Sequence, residues 1–165
     1  MLTPMIIISI LVSPLVIGFA RSRMTNHPFD VKKYACWGLG GAFVFFFIGH
    51  LAQTEGMVAM LPPWVPYRLT LVYLTGMLEL VVAIGLFVPQ WQARAAAAAI
   101  AMLVVFFPAN VYSAFNHVGL GGHQWGPVYL WIRTPLQLII IGWAYFLCMR
   151  RQSSATDRQQ LGLNT

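Results

Sequence analysis

The chain has 165 residues, of which 59% are hydrophobic and 8% are charged, and its net charge is +6. A soluble domain carries about 25% charged residues, so this composition argues against a globular soluble domain and for a membrane protein. The basic residues fall between apolar stretches and form no continuous surface, which argues against nucleic acid as a partner and makes them topology determinants.

Met1 to Ala20 is long and apolar enough to span a bilayer. It lacks the positively charged start of a signal peptide, and its apolar run exceeds the usual ~7–15 residues, so it is expected to be a retained span bent at Pro14. A polar loop with Arg21, Arg23, Lys32 and Lys33 follows. The second span is expected from Tyr34 to Ala52. Gly38, Gly40 and Gly41 near its start let neighbouring helices approach, and His50 lies near its far end. From Gln53 to Arg68, Pro62, Pro63 and Pro66 forbid a continuous helix. Trp64 and Tyr67 suit a membrane–water interface, so this stretch is expected to cap the bilayer surface.

Leu69 to Val88 is the third span, with Glu79 as its one ionisable residue. At 1.5 Å per residue such a span covers roughly 30 Å, the hydrocarbon thickness of a bilayer. A carboxylate at its centre costs about 2.5–3.5 kcal/mol on insertion scales, so it should face the protein interior and meet a partner there. Pro89 ends this span. The fourth runs from about Ala95 to Ser113, alanine-rich at first and interrupted by Pro108 just before Asn110. A glycine-rich loop with His117 and His123 follows. No HExxH or paired-His motif accompanies these histidines, so no metal site is expected. The fifth span, Leu130 to Met149, carries Arg133, Pro135 and Gln137 in its first turns. Trp64, Trp125 and Trp131 suit interface anchors. Cys36 and Cys148 stand alone within apolar spans and read as small core residues. The expected organisation is an N-terminal transmembrane helix over 1–20, a four-helix bundle over 34–149 and a polar cytoplasmic tail over 150–165.

Placing the N-terminus outside puts Arg21, Arg23, Lys32, Lys33, Arg94, Arg150, Arg151 and Arg158 inside, and only Arg68 and Arg133 outside. Eight basic residues against two is a strong positive-inside bias, so the chain is expected to run N-out, C-in. In that orientation His50, Thr75, Glu79, Asn110, Arg133 and Gln137 come from four spans and all fall in the outer half of the bilayer. The inner halves hold almost no polar side chains. Polar groups converging at one end of a helical bundle are how such bundles build ligand sites. Pro108 and Pro135 each free a carbonyl one turn earlier, and such groups persist at membrane depth only where protein or a cavity covers them.

The stretches FIGHLAQ, LPPWVP, TGMLEL with AIGLFVP, VVFFPANVYSAF and WIRTPLQ, over about residues 36–147, resemble the DoxX-like family of small four-span membrane proteins. The resemblance implies a four-helix transmembrane bundle, to which the first span is an addition, in a bacterial inner (plasma) membrane. The family takes its name from subunits of a thiosulfate:quinone oxidoreductase, and its recurring polar positions match His50, Glu79, Asn110 and Arg133 here. It implies a quinone or similar lipophilic small molecule as ligand and a redox partner protein. In that reading His50 and Glu79 are the catalytic pair, exchanging protons with the ligand. Asn110, Arg133, Gln137, Thr75 and Trp131 form the substrate-binding set. No haem ligand pair, iron–sulfur cysteines or dinucleotide fingerprint is present to carry electrons. The alternative is a non-catalytic membrane scaffold or assembly factor, locked by a Glu79–Arg133 ion pair. A proton-linked small-molecule transporter is a third reading, without an inverted repeat to recommend it.

Overall fold

The structure is a computed structural model that describes residues 2–25, 28–117 and 123–149. The tail at 150–165, with three of the basic residues that the inside count used, lies outside the described residues. Among the described residues there are six α-helices: α1 Leu2–Thr25, α2 Val31–Ala52, α3 Thr54–Ala59, α4 Arg68–Phe87, α5 Gln92–Phe115 and α6 Leu130–Trp143. A 3-10 segment, His123–Tyr129, leads into α6, and a π-helical turn, Ala144–Met149, extends it. No strand occurs among the described residues. Among the described residues five helices are long and apolar enough to cross a membrane: α1, α2, α4, α5 and the stretch Trp125–Met149 around α6.

The helix ends follow local chemistry. α1 continues past Ala20 to Thr25, because nothing breaks the helix before Pro28; Thr25 Oγ1 donates to Arg21 O at 2.8 Å in its last turn. The Arg23 guanidinium lies 5.3 Å from the Phe19 ring centroid. α2 starts earlier than its apolar run, at Val31, because the Asp30 side chain accepts from Lys33 N at 3.0 Å and caps the first turn. Between α2 and α4 the three prolines leave only the short α3 and a run of turns. Tyr67, in the left-handed region at φ 51°, redirects the chain into α4.

α2 packs against α1 and α4, α4 against α5, and α5 against α6 and its flanking segments, while the terminal turn returns to α2. These four helices close a ring of contacts, and α1 lies on its outside, against α2. Gly38 makes that crossing possible: a Cβ there would collide with the Leu11 backbone carbonyl. The core fills one end of the ring with Leu39, Phe43, Leu86, Ala96, Ala99 and Ile140, and α1 adds Ile7 and Leu11. Cys36 of α2 and Cys148 of the terminal turn are both fully buried in this one core. At the same end Trp143 Nε1 donates to Ala35 O at 3.0 Å, tying α6 to the start of α2. The outward faces expose Val81, Ile84, Val105, Leu138 and Phe146. So much contiguous apolar surface is costly in water and fits a bilayer.

Candidate functional site

The site begins with the TGMLE segment of α4. Thr75, Gly76 and Glu79 share one helical face, with Glu79 one turn below Thr75. His50 of α2 lies over that face. A Cβ on Gly76 would meet His50 Cβ at 2.9 Å and Cγ at 3.1 Å, so the glycine is the seat on which the imidazole rests. From there His50 Nδ1 stands 3.0 Å from Glu79 Oε2, and Nε2 stands 3.3 Å from Thr75 Oγ1. Glu79 is 6% exposed, so its carboxylate is removed from any surrounding solvent or lipid.

His50 lies deeper than its distance from the end of α2 suggests. Counting from helix ends puts it near the surface and Glu79 near the middle. The ends, however, are not level. Only two residues of α2 follow His50, whereas eight residues of α4 precede Gly76, the residue it touches. The first turns of α4 therefore reach beyond α2, and α3 packs against α4 there.

The hydrogen-bond geometry gives the pair two self-consistent protonation states. Nδ1 also lies 3.1 Å from Phe46 O, one turn back on α2. Thr75 Oγ1 lies 2.9 Å from Leu71 O and can donate to it. An imidazolium therefore places Nδ1–H beside Phe46 O and the Glu79 carboxylate, while Nε2–H donates to Thr75. A neutral imidazole keeps Nδ1–H on Phe46 O and accepts from the Thr75 hydroxyl at Nε2. Oε2 makes no aligned hydrogen bond, so its approach to Nδ1 is a charge contact beside the Phe46 bond. The pair can thus change protonation with small movements only.

A second group lies on α5 and α6. Arg133 Nη2 donates to Asn110 Oδ1 at 3.2 Å, and Asn110 Nδ2 donates to Phe106 O at 3.0 Å. Arg133 acts electrostatically on Glu79 without reaching ion-pair distance. The Glu79–Arg133 ion pair expected for a scaffold is therefore absent. The ion pair of Glu79 is with His50, which its seat on Gly76 brings closer, and Arg133 is held by Asn110. Gln137 Nε2 donates to Leu103 O at 2.9 Å, in the part of α5 that Pro108 opens.

The structure brings together His50, Thr75 and Glu79 in one contact group and Asn110 and Arg133 in another. Gln137 stands beside the second, on a groove of about 200 Å³ between α5 and α6 that Val104, Phe107 and Thr134 also line. Trp131 is 83% exposed and faces away from all of them. Two positions escaped the sequence reading. Gly76 stands in the TGMLEL stretch that carries the resemblance, but nothing in that stretch shows that it seats His50. Ser113 is fully buried with an unpartnered hydroxyl, three residues from Asn110 on the same helix; that spacing was the available signal. Among the described residues no group of three metal-ligating side chains occurs.

Fold and site define the class: an all-α membrane protein with ionisable groups buried between its helices. A family model described as Domain of unknown function (DUF8561) matches residues 39–148. That is 110 of 165 residues, and the chain belongs to this family, with α1 outside the matched region. No curated protein and no solved structure matches the chain.

Proposed function

We propose that this chain is a DoxX-like membrane protein that binds a lipophilic, oxygen-bearing small molecule of the quinone class within the bilayer, as an oxidoreductase or as the membrane subunit of one. The observation that carries the reading is the buried His50–Glu79 contact between α2 and α4, within electrostatic reach of the Arg133–Asn110 group on α5 and α6. Intramembrane ionisable residues that pair across helices mark ligand or proton sites more often than simple packing. The residues fit a quinone: Arg133 and Asn110 are donors for a carbonyl oxygen, and His50 with Glu79 can supply or accept a proton. Val104 and Leu138 of the groove beside Gln137 are exposed and apolar, a surface that suits a lipophile arriving from the bilayer. A quinone bound there would accept an electron pair from a partner protein, and this chain's residues would handle the accompanying protons. The bacterial inner membrane, which the resemblance implies, and the N-out, C-in orientation, which the positive-inside count favours, belong to the same proposal.

One observation favours the scaffold reading. Arg133 and Gln137 of α6 are already taken up by α5, on Asn110 Oδ1 and Leu103 O. Such groups could serve as helix-to-helix glue alone.

Mass spectrometry of small molecules that co-purify with the wild type and with Glu79→Gln separates the two. A discrete lipophile held by the wild type and lost from a variant of equal helicity supports the binding site. No retained lipophile in either, with a large drop in thermal stability for the variant, supports the scaffold.

A further inference from the structure

A second groove, distinct from the His50–Glu79 site, lies on the outside of the ring between α4 and α5. Val81 and Gly85 of α4 and Ala95 and Ala98 of α5 form its walls, and Trp91 and Arg94 stand at its mouth, around a volume of about 310 Å³. Its shape follows from the sequence. A Cβ on Gly85 would meet Ala95 Cβ at 2.9 Å, so the two helices close to contact there. Above that contact the short side chains of the AAAAA run leave a channel. Along α5 it extends from Trp91 to Ala98, two helical turns or about 10 Å at 1.5 Å per residue.

The mouth has the opposite chemistry from the walls. Arg94 is exposed, and among the described residues no carboxylate lies within ion-pair distance of it. Trp91 beside it is 56% exposed, as suits an indole at the level of lipid headgroups. An unpaired guanidinium above an apolar channel recognises an amphiphile with an anionic head and a hydrocarbon tail. In a membrane, the chemistry that meets both ends is an anionic phospholipid.

We propose that the α4–α5 groove is a binding site for an anionic phospholipid, with one acyl chain between Val81, Gly85, Ala95 and Ala98 and the phosphate on Arg94. The volume is at the small end for ligand sites, which fits a single chain rather than a whole lipid. Trp91 closes the site at the glycerol level.

Native mass spectrometry of the full chain in mild detergent tests this, with phosphatidylglycerol and phosphatidylcholine of identical chains titrated separately. The wild type should retain phosphatidylglycerol about fivefold more strongly than phosphatidylcholine, the preference one interfacial arginine confers. Arg94→Gln should bring that ratio close to unity, and Arg68→Gln, a basic residue at the opposite end of α4, should leave it unchanged. Ala98→Trp, an exposed position whose new side chain fills the channel, should reduce retention of both lipids. Equal retention of the two lipids by the wild type, a preference that survives Arg94→Gln, or unchanged retention in Ala98→Trp would each overturn the proposal.

Discussion

His50 of α2 and Glu79 of α4 form the one ion pair among the described residues, at 3.0 Å, with Glu79 buried and His50 partly buried between the two helices. Burying two such groups is worthwhile only when each compensates the other, because removing one partner leaves an uncompensated polar group at membrane depth. Their energies should therefore be coupled. A double-mutant cycle with His50→Asn, Glu79→Gln and the double variant, read by thermal unfolding in detergent, should give an interaction energy of about 1–3 kcal/mol. Additive losses would mean that the two residues act independently and that their contact carries no energy.

Gly76 should be the most sensitive small residue of the site. Gly76→Ala puts a methyl group 2.9 Å from His50 Cβ, and the helix backbone beneath cannot yield. The imidazole must lift away from Glu79, at an overpacking cost of about 1–3 kcal/mol. Gly142 of α6 is the control, since nothing lies within 4 Å of its added Cβ. Gly142→Ala should be neutral or stabilising by about 0.5–1 kcal/mol, from helix propensity alone. The comparison is between the two melting temperatures. Equal shifts would show that His50 does not rest on Gly76.

The five helices long and apolar enough to cross a membrane were legible because their signal is long and local: about 20 apolar residues bounded by prolines and charges leave few alternatives. The polar set could likewise be ranked by depth. Rotation about each helix axis could not, and rotation decides partners. Glu79 and Arg133 are an acid and a base, so chemistry alone favours pairing them. The deciding fact is steric: Gly76 offers His50 a closer approach, while Asn110 takes up Arg133. Which residue of α4 faces His50 was likewise beyond reach, because the unequal overhang of α2 and α4 is a tertiary property. The meeting of Cys36 with Cys148 was invisible for the same reason, since no local motif links the two ends of a closed ring.

α1 lies outside the matched family region, and its tightest approach to α2 is at Gly38. Gly38→Ala should separate α1 from α2, because the clash is with the Leu11 backbone carbonyl and cannot be relieved by a rotamer change. Gly41→Ala, whose Cβ would meet the Ile10 side chain at 3.0 Å, should be tolerated better, since a side chain can move. Cysteine pairs engineered across the α1–α2 contact, in the background of each substitution, would report the separation as lost cross-linking. Full cross-linking in Gly38→Ala would show that the crossing is looser than a backbone contact.

Cys36 and Cys148 give a direct test of how the ring closes. Both have 0% exposure, one near the start of α2 and the other in the π-helical turn that ends the fifth span. If that turn packs onto α2 as the core requires, neither thiol should react with a maleimide in the folded protein, and both should react after denaturation. Single variants Cys36→Ala and Cys148→Ala assign the labelling. A buried cysteine replaced by alanine loses one sulfur's worth of packing, so both should fold with a loss of about 1 kcal/mol. Rapid labelling of Cys148 with Cys36 protected would mean that the terminal turn leaves the ring, opening the bundle on the side away from His50 and Glu79. Rapid labelling of both would place the first turns of α2 outside the core and undo the packing on which the His50 seat depends.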